Sequence, residues 1–137
     1  MSQPMEYRAL VADDDESFRA VLCELLSPFF ELVEAKNGAE AVEIALAEPV
    51  HIAVFDWQMP SLNGLEAVQE LREHRLEFPC LLVTASEPDE LELAAAAAAI
   101  FSVLRKPVRR QMLLSRLADA VRSSYADESM SARLATG

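Results

Sequence analysis

Short apolar runs alternate along this chain with longer stretches in which apolar positions recur every three or four residues. Residues 7–12, 52–55, 80–83 and 101–104 are the clearest runs, and residues 31–35, with Leu32 and Val33 apolar, make a fifth. Runs of that length, bounded by polar or turn-forming residues, predict strands. Between 17 and 27, Phe18, Val21, Leu22, Leu25 and Leu26 fall at helical spacing. They predict a helix with one buried stripe, capped by Ser17 and stopped by Pro28. Asn37-Gly38 turns the chain into a second helix over 39–47, which Pro49 closes. A third is predicted from 65 to about 74. Glu87-Pro88-Asp89 marks the start of a fourth, with proline in the first turn and acids near the positive end of the helix dipole. It contains an alanine run, Ala94 to Ala99, which suits a helix better than disorder. A fifth covers about 109–124, with Leu114, Leu117 and Val121 on one face and Leu113 and Ala120 beside them. Residues 125–137 are small and polar, and are predicted to fray.

Strand and helix alternating five times predict a parallel α/β sheet. Five such units cannot close an eight-fold barrel, so the economical fold is an open, doubly wound five-stranded parallel sheet with helices on both faces. The expected organisation is one domain over 1–124, with 125–137 a flexible tail or the start of a linker. In such a sheet, ligands bind outside the carboxyl ends of the strands. Four of the strands end in polar groups: Asp13-Asp14-Asp15, Asp56, Thr84-Ala85 and Arg105-Lys106-Pro107. Three acids, a hydroxyl and a lysine would therefore converge in one pocket.

Composition narrows the partners. The 137 residues are 52% hydrophobic and 26% charged, which fits a soluble globular domain. A net charge of −11 argues against direct nucleic-acid binding, which needs clustered basic residues to neutralise phosphates. No apolar stretch reaches membrane-span length, and the start has neither a basic region nor an apolar signal core, so a cytoplasmic protein is expected. Arg105, Lys106, Arg109, Arg110 and Arg116 do cluster. A solvated helix face is the plainer account of them, and a docking surface for an acidic partner the sharper one. Cys23 and Cys80 fit no metal spacing and read as small buried hydrophobes.

Crowded carboxylates repel, and each raises its neighbours' pKa unless a cation neutralises them. Magnesium, a hard ion that wants oxygen ligands, suits that set. No histidine or cysteine lies near the acids: His51 precedes the third strand at its opposite end, and His74 ends the third helix. Taken alone, the run from Asp13 to Glu16 is an acidic turn ahead of a helix. Its coincidence with Asp56, Thr84 and Lys106 at three other strand ends favours a site.

The segment Leu10-Val-Ala-Asp-Asp-Asp-Glu-Ser-Phe-Arg19 resembles the opening of a two-component response-regulator receiver domain. Asp56-Trp-Gln-Met-Pro-Ser-Leu-Asn-Gly64 is similar to that family's phosphoacceptor loop, and Thr84-Ala85 and Lys106-Pro107 follow at the family's intervals. The likeness covers about residues 6–123 and implies the strand order 2-1-3-4-5 of the chemotaxis members. It further implies that Asp56 takes a phosphoryl group from a phosphohistidine, forming an acyl phosphate. Asp14, Asp56 and the backbone carbonyl of Gln58 would bind magnesium directly, and Asp13 through water. Lys106 would neutralise a phosphoryl oxygen and the Thr84 hydroxyl would bond another. The implied partners are a sensor histidine kinase or histidine phosphotransfer protein, and a downstream protein or fused output domain. The resemblance, with the need to aim Lys106, also predicts a cis Lys106-Pro107 bond. Met59-Pro60 would shape the turn, and Gly64 would permit a strained one.

Some positions depart from the family. Val103 stands where receivers carry Tyr or Phe as a rotamer switch, and Phe101, two residues earlier, is expected on the same strand face, about 7 Å back. Output would then run through the loop after Thr84 and the surface of helix four, strand five and helix five. Ala99 replaces a helix-ending glycine. Trp57 is large for its place, either a ring on the site rim or a lid against water. Gln58 and Ser86 occupy positions that tune phosphoryl lifetime in the family. Two other functions stay open: a haloacid-dehalogenase-type phosphatase using Asp13-Asp14-Asp15, which would need late acids such as Asp119, Asp127 or Glu128, and an unphosphorylated pseudo-receiver.

Overall fold

The structure, a computed structural model, describes residues 7–85 and 92–137. Among them, strands β1 (Arg8–Ala12), β2 (Glu31–Ala35), β3 (Ile52–Asp56), β4 (Cys80–Thr84) and β5 (Ser102–Arg105) form one parallel sheet in the order β2-β1-β3-β4-β5. The intervening helices are α1 (Glu16–Leu26), α2 (Gly38–Ala47), α3 (Gly64–Glu73) and α4 (Glu92–Ala97), and α5 (Arg110–Tyr125) and α6 (Glu128–Thr136) follow β5. The expected doubly wound sheet is present, in the order that the resemblance implied.

Sequence alternation decides which face each strand residue serves. Ile52 and Val54 of β3 enter a core with Leu22, Leu26, Leu113 and Leu117, while Ala53 and Phe55 enter the opposite core with Val42, Val68 and Leu71. Every residue of β3 and β4 is buried, as central strands covered on both faces must be. The edge strands β2 and β5 carry partly exposed positions.

Several local expectations are corrected. Asp15, not Ser17, caps α1, its carboxylate accepting from the backbone N–H of Ser17 and Phe18. Val21 is left out of the buried stripe and is 51% exposed. Phe101 packs with the α1–α5 core and Val103 with the opposite one, so they do not share a face. Phe101 precedes β5, where strand alternation no longer binds it. Ala99 does adopt the left-handed conformation (φ 56°) and closes a Schellman turn, in which the Ile100 N–H donates to the Ala95 carbonyl at 3.0 Å. Gly64 is needed for space and not for φ: a Cβ there would lie 2.4 Å from the Asp56 carbonyl oxygen, and the loop's left-handed residue is Ser61 (φ 67°). Glu87-Pro88-Asp89 and Ser86 lie outside the described residues.

The largest difference is at the C-terminus, where residues expected to fray form α6. Asp127 caps it, accepting from the Met130 N–H at 2.9 Å, and Met130 and Leu134 enter the α1–α5 core. Two apolar residues four apart in a short polar segment gave too weak a period to predict a helix. The closing contact, Tyr7 Oη donating to Asp127 Oδ2 at 2.6 Å, spans 120 positions of sequence.

Candidate phosphoacceptor site

The strand register brings the polar ends together. Ala12 pairs with Phe55, Asp56 with Val83 and Thr84 with Arg105, so the residues at and just beyond these positions line one edge of the sheet. The β3 end is tied to its neighbours by Trp57 N–H donating to the Val83 carbonyl at 2.8 Å, and the β5 end by Lys106 N–H donating to the Thr84 carbonyl at 2.8 Å. Lys106-Pro107 is cis, as expected.

Asp13, Asp14 and Asp56 each offer a carboxylate oxygen, and the three atoms lie within 4.8 Å of one another. Asp13 and Asp56 are buried, whereas Asp14 faces solvent. Lys106 Nζ stands 3.4 Å from Asp56 Oδ1 and 3.6 Å from Asp13 Oδ2. Burial pushes the Asp56 carboxyl up to about 6; the nearby Asp13 adds to this, and Lys106 opposes it. Asp13 is likewise raised, first by burial, against the hydrogen bond from the Asp15 N–H and the charge of Lys106. Thr84 is buried at the β4 end, and the Gln58 side chain is exposed.

Two residues to which the motifs gave no role hold this arrangement. Arg19 is buried: its guanidinium donates to the Asp13 carbonyl at 2.7 Å and to Glu34 Oε1 at 3.0 Å, fixing the acidic loop to α1 and β2. Phe18 places its ring 4.1 Å, centroid to atom, from Lys106 Nζ. Phe18 was expected in the buried stripe of the first helix, though not against Lys106, and the inward direction of Arg19 was not visible in sequence. Trp57 is buried in the α2–α3 core, not exposed on a rim.

The donor set fits a hard divalent cation. The one ammonium of Lys106 stands against two of the three carboxylates, and among the described residues Asp13 Oδ2 is buried without a hydrogen-bond partner. The acids that a phosphatase would need are elsewhere. Asp119 pairs with Arg116 and Arg122 on α5, and Asp127 bonds Tyr7, which precedes β1, at the sheet's opposite end.

Residues 9–118 match the family model of the response regulator receiver domain, and the chain belongs to that family. Response regulator MprA of Mycolicibacterium vanbaalenii is 33% identical over 125 residues, covering 90% of this chain and 54% of the relative. Sensory/regulatory protein RpfC of Xanthomonas campestris pv. campestris is 38% identical over 117 residues, covering 82% of this chain and 16% of the relative. The chain thus spans about half of the first relative's length and less of the second's. Among solved structures, chemotaxis protein CheY4 of Vibrio cholerae superposes with a TM-score of 0.79 at 26% identity, covering 85% of this chain and 99% of that one. The protein is a signalling module of two-component systems, and the phosphatase alternative is not favoured. No described helix is long and apolar enough to cross a membrane.

Proposed function

We propose that Asp56 is the phosphoacceptor, taking a phosphoryl group from a phosphohistidine of a kinase or phosphotransfer protein in the cytoplasm. The observation that carries this is the Asp56 carboxylate, buried at the end of β3 beside Asp13 and Asp14, with the Lys106 ammonium 3.4 Å away. Asp14 and Asp56, with the Gln58 carbonyl, would hold magnesium, and Asp13 would act through water. Bound there, the ion would offset charge on the transferring phosphoryl group. An Asp56 oxygen attacks phosphorus as the donor's P–N bond breaks, and the imidazole leaves with its electron pair. Lys106 countercharges a phosphoryl oxygen, and the Thr84 hydroxyl bonds another. Phosphoryl transfer of this kind needs positioning and countercharge more than covalent help.

The signal would leave through the face made by α4, β5 and α5. Ser102, Val103, Pro107, Val108, Arg109 and Met112 line much of a groove of about 400 Å³ there, and Met112 is 45% exposed. On a chain of net charge −11, the arginines beside it suit an acidic partner or a fused output domain. Residues 125–137 would lead toward such a domain.

Incubation with magnesium and a small phosphodonor, followed by peptide mapping, tests the assignment. One phosphoryl group is expected on Asp56 and none on Asp56→Asn. Label on Asp13 would overturn the assignment, and no label on the wild type would favour a pseudo-receiver.

A further inference from the structure

We infer that Phe18 is a positioning residue for Lys106, its ring face holding the ammonium where a phosphoryl oxygen will arrive. This rests on the phosphoacceptor reading of the site. The ring lies 4.1 Å from Nζ and is fixed from both sides. Its backbone N–H donates to Asp15 Oδ1 at 3.2 Å in the capped first turn of α1, and its side chain packs against the α1–α5 core. An aromatic face attracts a cation through its quadrupole and carries no charge of its own.

The need for such a contact follows from competition. Lys106 is held by Asp13 Oδ2 at 3.6 Å and Asp56 Oδ1 at 3.4 Å, and these carboxylates belong to the same group of three that suits a divalent cation. A divalent cation bound there weakens the pull of the carboxylates on Lys106 and repels its ammonium. A carboxylate in place of Phe18 would hold Lys106 but also draw it away from the phosphoryl group. An aliphatic side chain would fill the space without attracting the charge. The ring retains the ammonium without offering a competing anion, and leaves N–H donors for oxygens. Phe18 thus acts through Lys106 and touches no reacting atom.

The experiment uses the full chain, as wild type, Phe18→Leu and Phe18→Tyr. Magnesium is held at saturation, and labelling is followed against the concentration of a small phosphodonor. The maximal rate is expected to fall roughly three- to tenfold in Phe18→Leu, the range that loss of one partly desolvated cation–ring contact produces. Phe18→Tyr is expected to restore it to within about twofold, since phenol and phenyl faces attract cations similarly. Equal rates in wild type and Phe18→Leu would overturn the inference. So would a Phe18→Tyr variant as slow as Phe18→Leu, because packing alone would then explain the loss. A wild type that takes no label would overturn the phosphoacceptor reading first, and this inference with it. A second readout needs neither activity nor a variant that folds. Ring current from Phe18 should move the Lys106 ε-CH₂ proton resonances upfield in the wild type, with and without magnesium. Resonances at ordinary lysine positions when magnesium saturates the site would overturn the inference.

Discussion

At the scale of single residues, burial and charge at the site oppose each other, and this has a measurable consequence for stability. Burial pushes the Asp56 carboxyl up to about 6 from an ordinary 3.8. Between those values the folded protein holds a proton that the unfolded chain has released. The associated stability is fully present below about 3.8 and is lost as pH rises toward about 6. Above that, the fold carries an ionised carboxylate that lacks good solvation. Without divalent cations at pH 7.5, Asp56→Asn is therefore expected to stabilise the protein, by ~2–3 kcal/mol at most. Its stability should also depend less on pH between 5 and 7.5 than that of the wild type. Urea unfolding at the two pH values checks both, and a variant less stable than wild type at pH 7.5 would contradict the account. The neighbouring acids divide differently. Asp14→Ala is expected to abolish the magnesium-dependent change in Trp57 fluorescence, whereas Asp13→Ala should only weaken it, by roughly ten- to a hundredfold in affinity. An unaltered titration in Asp14→Ala would remove that residue from the ligand set. These acids were legible in sequence because each ends an apolar run. Phe18 was legible as part of a buried stripe but not as a neighbour of Lys106, and Arg19 was not legible, because a charged side chain leaves no mark in the apolar period.

At the scale of elements, the helix ends show which local signals decide structure. Asn63 caps α3 with a reciprocal bond to Glu66, and Asn37 caps α2; side-chain acceptors of this kind are readable one residue at a time. The C-terminal ends are less so. Ala99 (φ 56°) after α4 and Ala126 (φ 51°) after α5 take a conformation that normally goes to glycine. The Arg72 guanidinium helps hold the first of these ends, donating to the carbonyls of Ala98, Ala99, Leu76 and Phe78. A left-handed alanine costs about 1 kcal/mol relative to glycine, so Ala99→Gly and Ala126→Gly are each expected to stabilise by ~0.5–1 kcal/mol. Ala96, exposed and within α4, makes the control: Ala96→Gly should destabilise by ~1 kcal/mol. Thermal unfolding of the three variants tests the opposition of sign, and a stabilising Ala96→Gly alongside a destabilising Ala99→Gly would refute it. Helix α6 failed to show in sequence for a related reason. Its apolar residues are few, and its cap partner Tyr7 lies at the other end of the chain. Long-range contacts, not local period, hold it.

At the scale of the whole molecule, the sheet divides the protein into two cores, with the acidic cluster at the carboxyl end of its strands. On one side lie α1, α5 and α6, and on the other α2, α3 and α4. Val103 faces the second core and Phe101 the first, so the usual aromatic coupling between strand five and the threonine has no ring at its place. A valine is stiff at χ1 and offers no large rotation. Change at the site should therefore pass through the backbone beyond Thr84 and into the edge strand β5, since the N–H of Lys106, just past that strand's end, is bonded to the Thr84 carbonyl. On the α1–α6 side, Phe18 and Arg19 meet the site only through the first turn of α1, and Asp127 and Tyr7 hold α6 at the sheet's far end. Hydrogen exchange, with and without a phosphoryl mimic and magnesium, is expected to change protection over residues 84–90 and along β5 and the first turns of α5. Residues 20–30 and 126–137, beyond the first turn of α1 that borders the site, should stay within error. A Lys106→Ala variant gives a control, since it should shrink the change at β5 while leaving the fold intact. Protection changes confined to α1 and α6 would reverse the assignment of the output face, and would make the groove beside Arg109 and Met112 incidental to signalling.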